Sequence, residues 1–221
     1  MMLMYYFESR AMAGAKLASK LIEKYRYEDT TILALDRGGV AVGYQVATYL
    51  NARLQFLMTE IVHISDESLD FATVLPGGVV ASNPKMSKPE QDYYYSEYMG
   101  DLDTKLREAR SRVNRETDIN DVSPESLRGH NIILVSDGLK TSTILDAAVL
   151  WLKPAHVEKM ILACPVISVD ALDRAHILMD ELCILGTTPN FLKTSHYYDD
   201  DDIPDKDMTR KMIDSTIFNL K

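Results

Sequence analysis

Residues 131–143 read NIILVSDGLKTST. Asn131-Ile132-Ile133-Leu134-Val135 is a β-prone run without a charge, as a strand buried on both faces requires. Ser136-Asp137-Gly138 breaks it, and a hydroxyl-rich stretch leads into helical spacing that lasts to about Leu152. The same order occurs upstream. Thr31-Ile32-Leu33-Ala34-Leu35 is followed by the turn Asp36-Arg37-Gly38-Gly39 and a helix from Val40 to Leu50. It occurs again downstream, with a strand from Lys159 to Val166, a helix capped by Ser168 or Asp170 and reaching Met179, and a strand from Glu181 to Leu185. Repeated strand–turn–helix units predict an α/β fold: a mainly parallel twisted sheet flanked by helices on both faces. Ligands of such sheets bind beyond the carboxyl ends of the strands.

Working outward, residues 9–25 read as a helix capped by Ser9, and 54–64 as one further strand. Two short runs in 71–82 flank Leu75-Pro76-Gly77-Gly78 and predict paired strands. Residues 83–100 hold Pro84, Lys85, Lys88, Pro89 and Tyr93-Tyr94-Tyr95 with little periodicity, which predicts a long mobile loop. A charged helix over 101–118, an extended stretch over 190–198 and a helix from about Pro204 to Phe218 complete the chain. No composition break divides residues 1–221, so one domain is expected, with its core at about 26–186.

The formal charge is −9, from 24 basic and 33 acidic residues. That balance argues against non-specific binding to nucleic acid or to an anionic membrane. Six of the acids fall at 199–202, 205 and 207, a run expected to be a solvated stretch. Cys164 and Cys183 both sit in apolar runs and are expected as buried free thiols. Met1 to Phe7 lacks the charged start of a signal peptide, and no apolar run approaches the ~20 residues of a spanning helix. A cytoplasmic protein is expected.

Two strand-end loops carry the chemistry. In Asp36-Arg37-Gly38-Gly39 the glycines let backbone approach a ligand, and the arginine offers a planar fork to phosphate oxygens. Taken alone, the loop also fits a tight turn with a solvated Arg–Asp pair. In Ser136-Asp137-Gly138-Leu139-Lys140-Thr141-Ser142-Thr143, hydroxyls and backbone N–H groups at a helix start can cradle an anion. Asp137 can hold ribose hydroxyls, directly or through Mg²⁺. An Asp turn followed by an ordinary cap fits this segment too.

The apolar run before Ser136-Asp137-Gly138 and the hydroxyls after it resemble the phosphoribosyl-diphosphate loop of type I phosphoribosyltransferases. Asp36-Arg37-Gly39 resembles their pyrophosphate loop. Phe7-x-x-Arg10, Ala13-Gly14, Leu17-Ala18, Ala163-Cys164-Pro165-Val166, Pro189-x-Phe191, Tyr197-Tyr198 and Asp205 are similar to a group of phosphoribosyltransferases of undefined substrate. The resemblance implies a small hood built from the chain ends, a lid over the site and a homodimer. It implies that Asp36, Arg37, Gly38 and Gly39 bind pyrophosphate, with Arg37 and Asp137 catalytic. Asp137 would hold the ribose and weakly, through substrate, a metal, and 138–143 would cradle the 5-phosphate. Lys85, Lys88 and Tyr94 fall at the lid. The implied reaction moves a 5-phosphoribosyl group to a nitrogenous base and releases pyrophosphate with Mg²⁺. The partners it implies are a small-molecule phosphosugar and a nucleobase.

The chain departs from the family pattern at several positions. Ser136 replaces the first of two adjacent acids, Ser142 replaces a glycine and Ile144 a threonine. Serine at 142 is expected to strain a left-handed turn. Asp36 stands where a small residue or proline is common, and His63 to Asp70 do not carry the group's lysine and Pro–Glu. The alternative function is a catalytically degenerate phosphosugar or nucleotide binder on the same fold.

Overall fold

A computed structural model describes residues 6–64, 69–116 and 122–218. Its strands are β1 (Thr30–Ala34), β2 (Arg53–Phe56), β3 (Glu60–His63), β4 (Asp70–Val74), β5 (Val80–Ser82), β6 (Asn131–Val135), β7 (Lys159–Ser168) and β8 (Glu181–Thr188). Its helices are α1 (Arg10–Tyr25), α2 (Arg37–Leu50), α3 (Lys88–Glu97), α4 (Met99–Glu116), α5 (Thr143–Leu152), α6 (Val169–Leu178) and α7 (Lys206–Phe218).

The main sheet has the order β2-β1-β6-β7-β8 with every neighbour parallel. β1 and β6 are buried along their whole length, as their uninterrupted apolar runs require. Alternation then divides the side chains. Ile32, Ala34, Ile133 and Val135 face α1, α2 and α7, whereas Leu33, Ile132 and Leu134 face α5 and α6. At Gly14, α1 crosses α2 so closely that a Cβ would overlap the Val42 carbonyl.

The sheet reverses its winding between β1 and β6, the switch point where such folds open a crevice. Register places the chemistry there. Thr30 pairs with Asn131 and Ala34 with Val135, so Asp36 and Asp137 leave the sheet at the same level.

A second, antiparallel sheet has the order β3-β4-β5, backed by Leu102, Ala109 and Val113 of α4. Two sequence expectations are corrected here. The stretch 54–64 is two strands rather than one, because β2 joins the main sheet and β3 the small one. The stretch 83–100 is not a long loop but a short turn, then α3 and the start of α4. Ser87 and Glu90 form a reciprocal capping box, and Lys88 pairs with Asp92 one turn on. Within 190–198, Thr194–Tyr197 closes into a 3-10 turn. Cys164 and Cys183 are buried free thiols. Among the described residues no helix is long and apolar enough to cross a membrane.

Candidate functional site

Asp36 caps α2, with Oδ1 accepting from the Gly39 N–H. Its other oxygen accepts from the Ser136 hydroxyl at 2.6 Å. Its carboxyl also interacts with that of Asp137. The serine that stands in place of an acid therefore does not leave the site with one carboxylate. The second acid comes from the other loop, and Ser136 orients it. Gly38 makes this possible, because a Cβ there would overlap the Asp137 carboxylate.

Asp137 is buried, and burial together with the Asp36 charge pushes its carboxyl up to about 8. Burial raises Asp36 as well. Each carboxyl influences the other, and the two are expected to titrate as a unit. Arg10, 1% exposed, donates from Nε to Asp137 Oδ2 at 2.7 Å and from Nη1 to Asp202 Oδ1 at 3.1 Å. The Tyr198 ring lies 4.5 Å from that guanidinium, and the Tyr198 hydroxyl donates to the Asp137 carbonyl. Phe7 and Tyr198 bridge the two chain ends, while Phe191 and Thr194 crowd the Cα of Gly138. Asp202 also accepts from the N–H groups of Arg10 and Ala11 at the start of α1, and Asp205 Oδ1 from the Met208 N–H. The expectation of a purely solvated acidic run is thus corrected: Asp202 and Asp205 hold helix starts.

The second loop is drawn against β7. Leu139 is buried and exchanges backbone bonds with Val166 and Ser168, and the Lys140 carbonyl accepts from Ser168 Oγ at 2.7 Å. The Lys140 side chain is exposed. Ser142 has φ −83, so the loop turns without any left-handed residue there, and the expected strain from the missing glycine does not arise. Thr141 and Thr143 both donate their hydroxyls to Asp70 Oδ2, at 3.1 and 2.7 Å. His63 Nδ1 lies 3.1 Å from the other oxygen of Asp70. The hydroxyl cradle holds an anion, and that anion is the protein's own carboxylate.

Arg37 begins α2, half-buried, beside a cleft lined also by Met58, Arg112, Arg115 and Lys206. Of the three residues expected at a lid, Lys88 meets Asp92 at 2.7 Å, Tyr94 meets Tyr93 edge-on, and Lys85 is exposed. Sequence reasoning gave no role to Arg10, Tyr198, Asp202 or Asp70. The first two stood in the quoted motifs, and their pairing across the chain ends was the missing information.

The paired acids make stability depend on pH. A carboxyl raised by folding binds its proton more tightly in the folded chain than in the unfolded one, so stability falls as pH rises from about 4 to about 8. The slope is at most about 1.4 kcal/mol per pH unit for one proton. Asp36→Asn still caps α2, removes the repulsion and is expected to flatten that fall. Urea midpoints from pH 4 to 9 check it, and an unchanged slope would show that the two do not titrate as a unit.

A family model described as phosphoribosyl transferase domain matches residues 6–181. A protein of Mycobacterium tuberculosis, provisionally named a phosphoribosyl transferase, is 27% identical over 197 residues, 88% of this chain. The chain spans only 43% of that relative's length. The crystal structure of the TT1426 protein of Thermus thermophilus superposes with a TM-score of 0.73 at 24% identity, covering 94% of this chain and 97% of that one. The AQ2163 protein of Aquifex aeolicus gives a TM-score of 0.50 at 11% identity, covering 84% of this chain and 77% of that one.

Proposed function

The chain belongs to the phosphoribosyl transferase domain family, and on that premise we propose that it binds phosphoribosyl diphosphate and transfers the 5-phosphoribosyl group to a nitrogenous base. The observation that carries this reading is the Asp36–Asp137 pair at the switch point, with Arg37 beside it. In this reading Asp137 and Asp36 accept the ribose hydroxyls, and their shared negative charge stabilises the cation-like sugar carbon of the transition state. The N–H groups at the start of α2 and the Arg37 guanidinium take the leaving pyrophosphate. Thr141 and Thr143 hold the 5-phosphate once it displaces the Asp70 carboxylate.

The donor set fits a Mg²⁺ that arrives with the substrate. Asp36 and Asp137 would hold it, once the raised Asp137 carboxyl gives up its proton. When bound, the ion would neutralise charge on the departing pyrophosphate.

A second reading, binding without turnover, is favoured by one observation: the phosphate cradle is already filled by Asp70. Calorimetry with phosphoribosyl diphosphate, with and without Mg²⁺, is expected to show binding that Asp137→Asn weakens at least about tenfold. No heat at millimolar ligand would sink both readings. Binding with no pyrophosphate release across a panel of purine, pyrimidine and pyridine bases would favour the second.

A further inference from the structure

On one side of Arg37 lies a cleft of about 360 Å³ whose lining is Arg37, Met58, Arg112, Arg115 and Lys206. Among the described residues that line it, four are cations and none is an acid, in a chain whose formal charge is −9. Three separate segments converge to make it. Arg37 is the first residue of α2, Lys206 the first of α7, and Arg112 and Arg115 occupy the last turn and a half of α4. The two arginines are three residues apart on one helix, so they lie on the same face.

The cations are positioned rather than loose. Arg112 donates from Nε to Glu60 Oε1 at 2.8 Å and lies 3.6 Å from Glu108, which fixes its guanidinium at the cleft wall. Lys206 Nζ donates to the Arg115 carbonyl at 2.6 Å, tying α7 to the end of α4. The acids nearest Lys206 in sequence do not fill the cleft: Asp205 is spent on capping α7, and Asp207 is exposed. Glu60 and Glu108 already offset part of the Arg112 charge, and the convergence of four cations on one space still favours an anion there. Guanidinium forks fit the oxygens of phosphate two at a time. The volume exceeds that of one phosphate group, and the charge matches a chain of two or three.

We infer that this cleft binds a polyphosphate, held by Arg112, Arg115 and Lys206 together with Arg37. The inference rests on the reading above for the neighbourhood of Arg37, and it adds α4 and α7 to the machinery. The polyphosphate has two possible sources: the diphosphate of the sugar donor, extended past the first loop, or a separately bound nucleotide.

The test is titration of the intact chain with inorganic tripolyphosphate and pyrophosphate, followed by calorimetry. Arg115→Ala and Lys206→Ala are each expected to weaken binding at least about fivefold, and the double variant at least about thirtyfold. Lys153→Ala, an exposed lysine outside the cleft, makes the same charge change and is expected to leave affinity within twofold. Circular dichroism melts establish that the variants are folded. Equal loss in Lys153→Ala, or no loss in the double variant, would overturn the inference, as would a wild-type chain that binds neither anion. Saturating phosphoribosyl diphosphate separates the sources: competition assigns the cleft to the donor, and independent binding assigns it to a nucleotide. The two readings fail separately. Tripolyphosphate binding that the double variant abolishes, without any binding of phosphoribosyl diphosphate, leaves this inference standing and removes the proposed transfer.

Discussion

Arg10→Met is expected to destabilise the chain by about 3–5 kcal/mol, the usual cost of breaking a buried ion pair from one side. The guanidinium is 1% exposed and bridges two acids that cannot reach each other: Asp137 at 2.7 Å and Asp202 at 3.1 Å. Its removal leaves Asp137 buried beside Asp36 with no cation to offset their shared charge. It also frees the start of α1 from the acidic run and takes away the face over which Tyr198 lies. Methionine fills much of the volume, so the loss reports charge and hydrogen bonding rather than a cavity. Lysine is expected to recover less than half, because one ammonium cannot reproduce a planar fork that spans both acids. Asp202→Asn is expected to cost far less, since that side chain is 29% exposed and solvent screens it. Urea unfolding at pH 7 ranks the three. A loss below about 1 kcal/mol for Arg10→Met would show that the cluster does not pin the chain ends to the second loop.

The main sheet was legible because its strands are buried on both faces. Runs such as Ile132 to Val135 and Thr31 to Leu35 need no partner to be recognised, and the turns after them carry their own punctuation. The two site loops were legible for the same reason. What the sequence concealed is how those loops combine. Asp36 and Asp137 are 101 positions apart, and only the β1–β6 register shows that they form the acid pair for which Ser136 looked deficient. Arg10 was visible as a motif residue, but its partners lie beyond 130 in the chain. The error over 83–100 has a local cause. Tyrosines and prolines masked a helix whose capping box, Ser87 to Glu90, was present in the residues. α3 buries none of its residues, so it has no apolar stripe to betray it. Serine fits at 142 because the loop makes no left-handed turn there, its approach to β7 being set by the bonds of Leu139 and Lys140.

Asp70→Ala is expected to tighten the binding of ribose 5-phosphate at least about tenfold. Thr141 and Thr143 each give a hydroxyl proton to Asp70 Oδ2, at 3.1 and 2.7 Å, so an incoming phosphate must break both bonds before it can use the same donors. A hydrogen bond to a charged group contributes about 1.5–3 kcal/mol, and each 1.4 kcal/mol released is a factor of ten in affinity. Removing the carboxylate also removes a like charge from the cradle, which adds to the gain at low salt. The folded state loses the same bonds, and His63 loses the acid 3.1 Å from its ring, so the variant is expected to be modestly less stable while it binds more tightly. Asp70→Asn keeps the shape and one acceptor without the charge, and is expected to fall between wild type and alanine. This ordering distinguishes two roles for Asp70. If it competes with phosphate, affinity rises from aspartate through asparagine to alanine. If it instead orients the two hydroxyls for a ligand that lies above them, the order reverses and alanine binds worst. Calorimetry with ribose 5-phosphate, which lacks the pyrophosphate and so reads the cradle apart from Arg37, gives the order directly.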